Sequence, residues 1–307
     1  MHIPDGYLKP EIWVAFDLIS VPAVGYLSRK VQRMEDNPGI PLLGVMGAFV
    51  FAAQMINFPV GLGATGHLLG GALLAATLGP ASASLVLAVI IGIQALVFQD
   101  GGLLAWGANT FNMAFCGTAA GYLPYWFLGR GRLRAAGLFL GGVLSVFSGA
   151  MLALLMLKLS GQPVGATIFG GSALVFLTIG VVEGAITVAV FEAVQRLKPA
   201  SAALPGRGPF AAKRIVLAGA IVLILVGVPL ASPLPDALEK AAASMGIEGS
   251  QIHLMASPLA GYELAPVRNG YLRKTVAALI GVGLVYATCL MLSRSLTRRR
   301  THGMGSP

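Results

Sequence analysis

Residues 135–157 read AAGLFLGGVLSVFSGAMLALLML, 23 consecutive positions without a charged side chain, bounded by Arg134 and Lys158. As an α-helix rising 1.5 Å per residue, this stretch is about 35 Å long and crosses the ~30 Å hydrocarbon layer of a bilayer. Similar stretches recur near residues 11–28, 41–57, 66–79, 83–98, 106–128, 167–193, 215–231 and 273–293. Together they predict an all-α, polytopic membrane helical bundle of about nine transmembrane helices. Composition points the same way: of 307 residues, 56% are hydrophobic and only 11% charged, too apolar for a soluble domain of ordinary make-up. The stretch 66–79 is short and is preceded by Gly63-Ala64-Thr65, so it is expected to start below the membrane surface.

Basic residues set the orientation, because Lys and Arg in short loops favour the cytoplasm. One set of alternate connections holds Arg29, Lys30, Arg33, Arg130, Arg132, Arg134, Arg196, Lys198, Arg207, Lys213, Arg214, Arg294, Arg298, Arg299 and Arg300. The other holds only Lys9, Lys158, Lys240, Arg268, Arg273 and Lys274. An odd number of spans makes that asymmetry self-consistent, with the N-terminus outside and the C-terminus inside. The net charge of +9 is therefore mostly a topology signal, and nucleic acid is not an expected partner. Asp5, Glu11 and Asp17 lie where a signal peptide would be basic or apolar, so no cleavage is expected and the amine of Met1 faces the outside.

A composition break at 197–214, rich in Pro, Gly, small residues and cations, reads as a cytoplasmic linker. It divides residues 1–196, with seven spans, from residues 215–307, with two spans around an external loop at 232–271. Within that loop Asp236 and Glu239 have the spacing of a helix capping box. Cys116 and Cys289 fall in spans and read as packing residues, with no disulfide framework. Gly66, Gly70, Gly71, Gly117, Gly121, Gly137, Gly141 and Gly142 allow close helix approach, either within the chain or to a partner's helices.

The chain opens Met1-His2-Ile3-Pro4-Asp5-Gly6-Tyr7. The α-amine of Met1, the backbone nitrogen of His2 and its imidazole Nδ1 can close two fused chelate rings around one ion, three nitrogens nearly in a plane. Square-planar nitrogen ligation suits Ni(II) or Cu(II), with Co(II) possible. His67 falls on the same side of the membrane and offers a fourth nitrogen, although a histidine at a helix start is also a common structural residue. Three neutral nitrogens and one ionised amide leave a divalent ion at net charge +1, so such a site needs little carboxylate, and it loses metal as pH falls.

Polar residues placed to buttress that site are Asp5, Gln54, Asn57, Asp100, Asn109 and Asn112, with helix-to-helix hydrogen bonding as the alternative role. Asp17 and Glu183 are intramembrane carboxylates, readable as relays, as ion ligands or as residents of a polar pocket. Glu192 and Arg196 are four apart and read as a surface pair. His253 and His302 have no ligand partners nearby in sequence. The chain has no His-Glu-x-x-His, Gly-x-Ser-x-Gly or Walker-type phosphate loop, so any ATP hydrolysis that drives uptake belongs to another chain.

Four motifs in order carry a family resemblance: Met-His-Ile-Pro-Asp-Gly-Tyr-Leu at 1–8, Gln-Met-Ile-Asn-Phe-Pro-Val at 54–60, Gly-His-Leu-Leu-Gly-Gly at 66–71, and Asp-Gly-Gly at 100–102 followed by Gly-Ala-Asn-Thr-Phe-Asn-Met at 107–113. Residues 1 to about 196 thereby resemble the nickel/cobalt substrate-capture subunits of energy-coupling factor transporters, the NikM/CbiM family. The resemblance implies a metal held by the amine of Met1, the amide and imidazole of His2, and His67. Residues 215–307 resemble the NikN/CbiN-type auxiliary subunit, with Ala237 where its Pro-Asp-Gly-Leu-Glu signature has glycine. Also implied are a transmembrane coupling subunit and cytoplasmic ATPases as partners, a location in the cell (inner) membrane, and a role of the added module in loading or releasing metal. The expectation is thus a non-enzymatic capture subunit for Ni(II), with Co(II) import for cobalamin synthesis as the alternative. A carrier or channel independent of any ATPase, coupled through Asp17 and Glu183, is the reading from another class.

Overall fold

The computed structural model describes residues 1–33, 40–61, 63–129, 131–203, 210–264 and 266–301. Arg130, Arg207, His302 and the middle of the expected linker, 204–209, lie outside the described residues. The chain is a bundle of α1 (Pro10–Arg33), α2 (Ile40–Gln54), α3 (Gly71–Leu78), α4 (Pro80–Ile93), α5 (Trp106–Asn109), α6 (Thr118–Leu128), α7 (Arg134–Leu159), α8 (Ala166–Ala203), α9 (Phe210–Val222), α10 (Val228–Leu230), α11 (Ala237–Met245) and α12 (Gly270–Thr301). π-Helical turns extend α4 through Gln94–Phe98, join α5 to α6 through Thr110–Gly117, and join α9 to α10 through Leu223–Gly227. Five helices among the described residues are long and apolar enough to cross a membrane: Pro10–Gln32, Pro80–Phe98, Arg134–Leu159, Ala166–Arg196 and Gly270–Leu292. Leu42–Gln54 and Ile215–Gly227 are shorter apolar helices.

Two departures from the sequence reading matter. The expected span 66–79 is helical only over the eight residues Gly71–Leu78, about 12 Å at the α-helical rise and too short to cross alone. Ahead of it stands a small antiparallel hairpin, β1 (Phe58–Gly61) against β2 (Ala64–Gly66), that periodicity did not foretell. β2 is followed by the non-helical residues 67–70, which carry His67.

α7 and α8 form the most extensive helix contact among the described residues. A Cβ on Gly142 would stand 2.5 Å from the Cα of Gly184, so only glycine permits this backbone approach. α9 and α12 pack on α2, which ties the last third of the chain to the first. Glu192 on α8 pairs with Arg134 of α7 at 2.6 Å, across helices and not along its own helix with Arg196. Cys289 is buried and Cys116 partly so, both unpaired.

One end of the bundle gathers the N-terminus and four connections. Lys9 N–H donates to Ser160 Oγ at 3.2 Å, and Gln162 Nε2 donates to Tyr7 O at 2.7 Å. Ser232 N–H reaches Asn57 O at 2.8 Å, and Leu259 N–H reaches Val97 O at 3.2 Å. At the opposite end Val31, Ala81 and Leu85 form a separate small core.

Candidate metal centre

The first five residues are threaded into the gathered end as a buried extended segment; Met1, His2, Ile3 and Asp5 are all buried. Backbone pairing explains how so short a segment is held. Asn109, at the end of α5, accepts from Ile3 N–H at 2.8 Å and donates to Ile3 O at 3.0 Å, closing a two-bond clamp on the backbone of one residue. Gly102 N–H donates to the same carbonyl at 2.9 Å. Asp5 accepts from Leu103 N–H at 2.8 Å and Ala105 N–H at 3.1 Å, two of the otherwise unpaired donors just before α5. Room for this exists because residue 102 is glycine: a Cβ there would stand 2.1 Å from Asp5 Oδ1. Asp17 of α1 accepts from Gly107 N–H at 2.8 Å, so it also serves the start of that helix.

The His67 loop is held from beneath. Glu183, fully buried on α8, accepts from Leu69 N–H at 2.6 Å and Gly70 N–H at 2.7 Å. Gln54 Nε2 donates to Leu69 O at 2.9 Å, and Gln94 Nε2 donates to Gln54 Oε1 at 2.8 Å. These bonds satisfy buried polar groups that would otherwise cost a few kcal/mol each. Asp17 and Glu183 are thus both engaged with backbone N–H groups.

Held in this way, the two segments bring Met1, His2 and His67 together. The α-amine nitrogen lies 3.4 Å from His67 Nε2. The rings of His2 and His67 stack with centroids 5.9 Å apart and planes 14° apart. His67 Nδ1 lies 3.1 Å from Leu68 O, so a proton there leaves the Nε2 lone pair facing the amine, the tautomer a metal ligand requires. Both ring nitrogens of His2 are buried without a hydrogen-bond partner. His2 Nδ1 does lie 3.0 Å from Asp100 Oδ1, a distance for an ion pair but off hydrogen-bond geometry. Buried polar atoms left in this state are those that a ligand or ion completes.

Two carboxylates, Asp100 and Asp236, flank the nitrogens. Asp100 follows the π-helical turn Gln94–Phe98, and Gln99 turns the chain through a left-handed φ of 55°. Tyr262 donates its hydroxyl to Asp100 Oδ2. Asp236 Oδ2 pairs with the amine at 2.9 Å. Burial raises Asp100, but the charge of His2 beside it, with the hydroxyl of Tyr262, outweighs that and holds the carboxyl well below its usual range. Burial likewise raises Asp236, and the amine's charge with that of His67 brings it below its ordinary value. His67 is lowered to about 4 by burial first, then by the amine and His2 charges, so it stands neutral at pH 7 and ready to coordinate. Tyr262 is pushed well above 10 by burial and by Asp100.

Of the residues marked in the sequence to buttress the site, Asp100 touches His2, Asn109 and Asp5 hold the N-terminal segment, and Gln54 holds the His67 loop. Asn57 contributes only its backbone carbonyl, to Ser232, and Asn112 donates to Met156 Sδ at 3.3 Å, away from the cluster. His253 lines a shallow external pocket with Pro4, Asp5 and Gly101, beside the buried nitrogens and not among them. Asp236 was legible as a helix cap, and the structure shows that cap, with Asp236 accepting from Leu238 and Glu239 N–H. Its contact with the amine had no signal in sequence, nor did the parts of Tyr262 and Gln94. Among the described residues, no group of three or more His, Cys, Asp and Glu is arranged as a metal cage, and the cluster found here depends on a main-chain amine.

Residues 2–201 match the family described as CbiM, cobalt uptake substrate-specific transmembrane region. A putative fused nickel transport protein NikMN of Archaeoglobus fulgidus is 33% identical over 96% of this chain and 98% of its own length. The fused nickel transport protein NikMN of Rhodobacter capsulatus is 30% identical over 97% of this chain and 99% of its own. Among solved structures, a truncated transition metal transporter at 34% identity superposes with a TM-score of 0.57, covering 64% of this chain and 99% of that one. With the family matched across some two hundred residues and relatives aligned nearly end to end, the chain belongs to the CbiM/NikM family of cobalt and nickel transport proteins, as a membrane transport subunit and not an enzyme.

Proposed function

We propose that this chain is the substrate-capture subunit of an ATP-driven divalent-metal importer, and that it takes up Ni(II) through the Met1 amine, the His2 amide and imidazole, and His67. One observation carries the reading: an α-amine and two imidazoles from opposite ends of a 66-residue stretch converge in a buried pocket, the amine 3.4 Å from His67 Nε2. The amine, amide and imidazole belong to adjacent residues, so their chelate geometry is covalently preset and little order has to be gained on binding. Asp100 and Asp236 at the rim favour a cation and compensate the +1 charge that remains on the ion after coordination to one ionised amide. Coordination by His2 Nδ1 requires that nitrogen to turn from Asp100 to the ion.

Nickel is favoured over cobalt because two relatives that align along nearly the whole chain carry nickel in their names, and because square-planar nitrogen ligation suits Ni(II). Cobalt remains the alternative cargo, as in a shorter relative named cobalt transport protein CbiM from Lachnoclostridium phytofermentans, 29% identical over 62% of this chain. In this reading residues 1–196 are the capture domain and residues 215–307 a NikN/CbiN-like module. The chain sits in the cytoplasmic membrane with Met1 outside, and it works with a transmembrane coupling subunit and ATPase chains.

The test is a Ni(II) and Co(II) titration of the purified protein with its native N-terminus, beside a variant with one alanine inserted between Met1 and His2. Tight one-to-one binding that the insertion abolishes supports the chelate, and the tighter ion identifies the cargo. Equal binding by both proteins overturns the site, and absence of binding overturns the metal-capture reading. Uptake that persists without ATPase partners would favour the self-contained carrier.

A further inference from the structure

The amine of Met1 is held by a residue 235 positions away in sequence. Asp236 divides its two oxygens: Oδ1 accepts from Leu238 N–H at 2.6 Å and Glu239 N–H at 2.8 Å, capping α11, while Oδ2 faces the amine at 2.9 Å. The carboxylate cannot rotate without surrendering the cap. Asp236 is also referenced to β2, the strand that leads into His67. Thr65 N–H donates to Pro235 O at 2.9 Å, Thr65 Oγ1 reaches Leu234 O and Pro235 O at 3.2 and 3.1 Å, and Thr65 bridges Asp236. Glu239 Oε2 closes the box by accepting from Asp236 N–H at 2.9 Å. α11 buries Ala237, Leu238, Ala241, Ala242 and Met245, which anchors the whole unit. The carboxylate that grips the amine and the imidazole that faces it are thus fixed to the same short strand, β2.

We infer that Asp236 is a positioning residue for metal capture: it sets the Met1 amine against His67, so that the external segment of the C-terminal region completes the site. This rests on the ligand set proposed above. An amine that coordinates through its lone pair keeps two N–H bonds, and Asp236 Oδ2 stands where it accepts one of them. The carboxylate therefore supports the ion through the amine without itself being a ligand. Outer partners of this kind are worth about 10- to 100-fold in metal affinity.

Asp236→Asn separates this role from helix capping, because Asn caps helices about as well as Asp yet carries no charge for the amine. Ni(II) titrations compare the native full-length protein, Asp236→Asn and Glu239→Gln, and hydrogen exchange follows each in its metal-free form. The expected result is about 10- to 100-fold weaker binding in a folded Asp236→Asn protein, whose metal-free melting temperature falls with the lost amine–carboxylate pair. Its exchange should rise at residues 1–5 and stay native-like across α11, because Asn keeps the cap, and Glu239→Gln should bind within about threefold of native. Native-like or tighter binding by Asp236→Asn overturns the inference, as does an equal loss in Glu239→Gln or exchange that rises across α11 and not at residues 1–5. If the native protein binds no Ni(II), the ligand set itself falls and the role of Asp236 falls with it.

Discussion

Replacing Asn109 with leucine removes the clamp on Ile3 while keeping a side chain of similar size. Ile3 is fully buried and Asn109 nearly so, so water does not replace what is lost. Ile3 N–H loses the 2.8 Å acceptor Asn109 Oδ1, and leaving a buried donor unpaired costs about 1–3 kcal/mol. Ile3 O loses the 3.0 Å bond from Nδ2 but keeps Gly102 N–H at 2.9 Å, so its loss is about 0.5–1.5 kcal/mol. The sum, about 1.5–4.5 kcal/mol, falls on the docking of residues 1–5, which carry the amine and His2. At ~1.4 kcal/mol per decade, Ni(II) affinity should drop by roughly 10- to 1,500-fold. Isothermal titration reads the affinity, and hydrogen exchange at residues 1–8 reads the release of the segment. Asn112→Leu is the matched control, since that side chain is equally buried but bonds only to Met156 Sδ; its affinity should stay within about threefold of native. A folded Asn109→Leu protein that binds within about threefold of native would refute the reasoning.

Gly102→Ala attacks the same segment sterically: its Cβ would fall 2.5 Å from Asp5 N, backbone that cannot yield without displacing the chain toward His2. Ni(II) binding should weaken at least about tenfold, since a displaced segment no longer presents the amine to His67, and unchanged affinity would contradict the placement of Asp5. The pH dependence of the metal-free protein follows from His67, whose folded value of about 4 lies below its ordinary 6.5. Between those values the unfolded chain binds a proton that the folded chain refuses, so this contribution is full above pH 6.5 and is lost as pH falls toward 4. The loss is at most about 3 kcal/mol, and a His67→Gln variant melted across the same range should show a flatter profile. Asp100 and Asp236 act in the same sense at lower pH: their depressed values stabilise the fold above the ordinary carboxylate range, and that contribution is lost as pH falls below it.

Sequence alone made the helical membrane protein legible and was enough to propose the three-nitrogen chelate, for two distinct physical reasons. Long uncharged stretches such as 135–157 have one stable environment, because hydrocarbon requires every backbone group to be bonded within a helix. The Met1 amine, the His2 amide and the His2 imidazole are neighbours by covalent structure, so their chemistry is local and readable before any fold is known. The capping box at Asp236 and Glu239 was legible for the same reason, being contained in four residues. Tertiary structure decided everything that depends on distance along the chain. It shortened the expected span 66–79 to the eight-residue helix α3, because residues 67–70 are bonded to Glu183 and Gln54 instead of to one another. It separated Asn109 from Asn112, two asparagines three residues apart with the same composition signal, by giving one Ile3 and the other Met156 as partner. It also set Asp236 on the amine and Tyr262 on Asp100. No periodicity or spacing encodes contacts across 235 and 162 positions; they exist because α9 and α12 pack on α2 and carry the segment between them over the N-terminus.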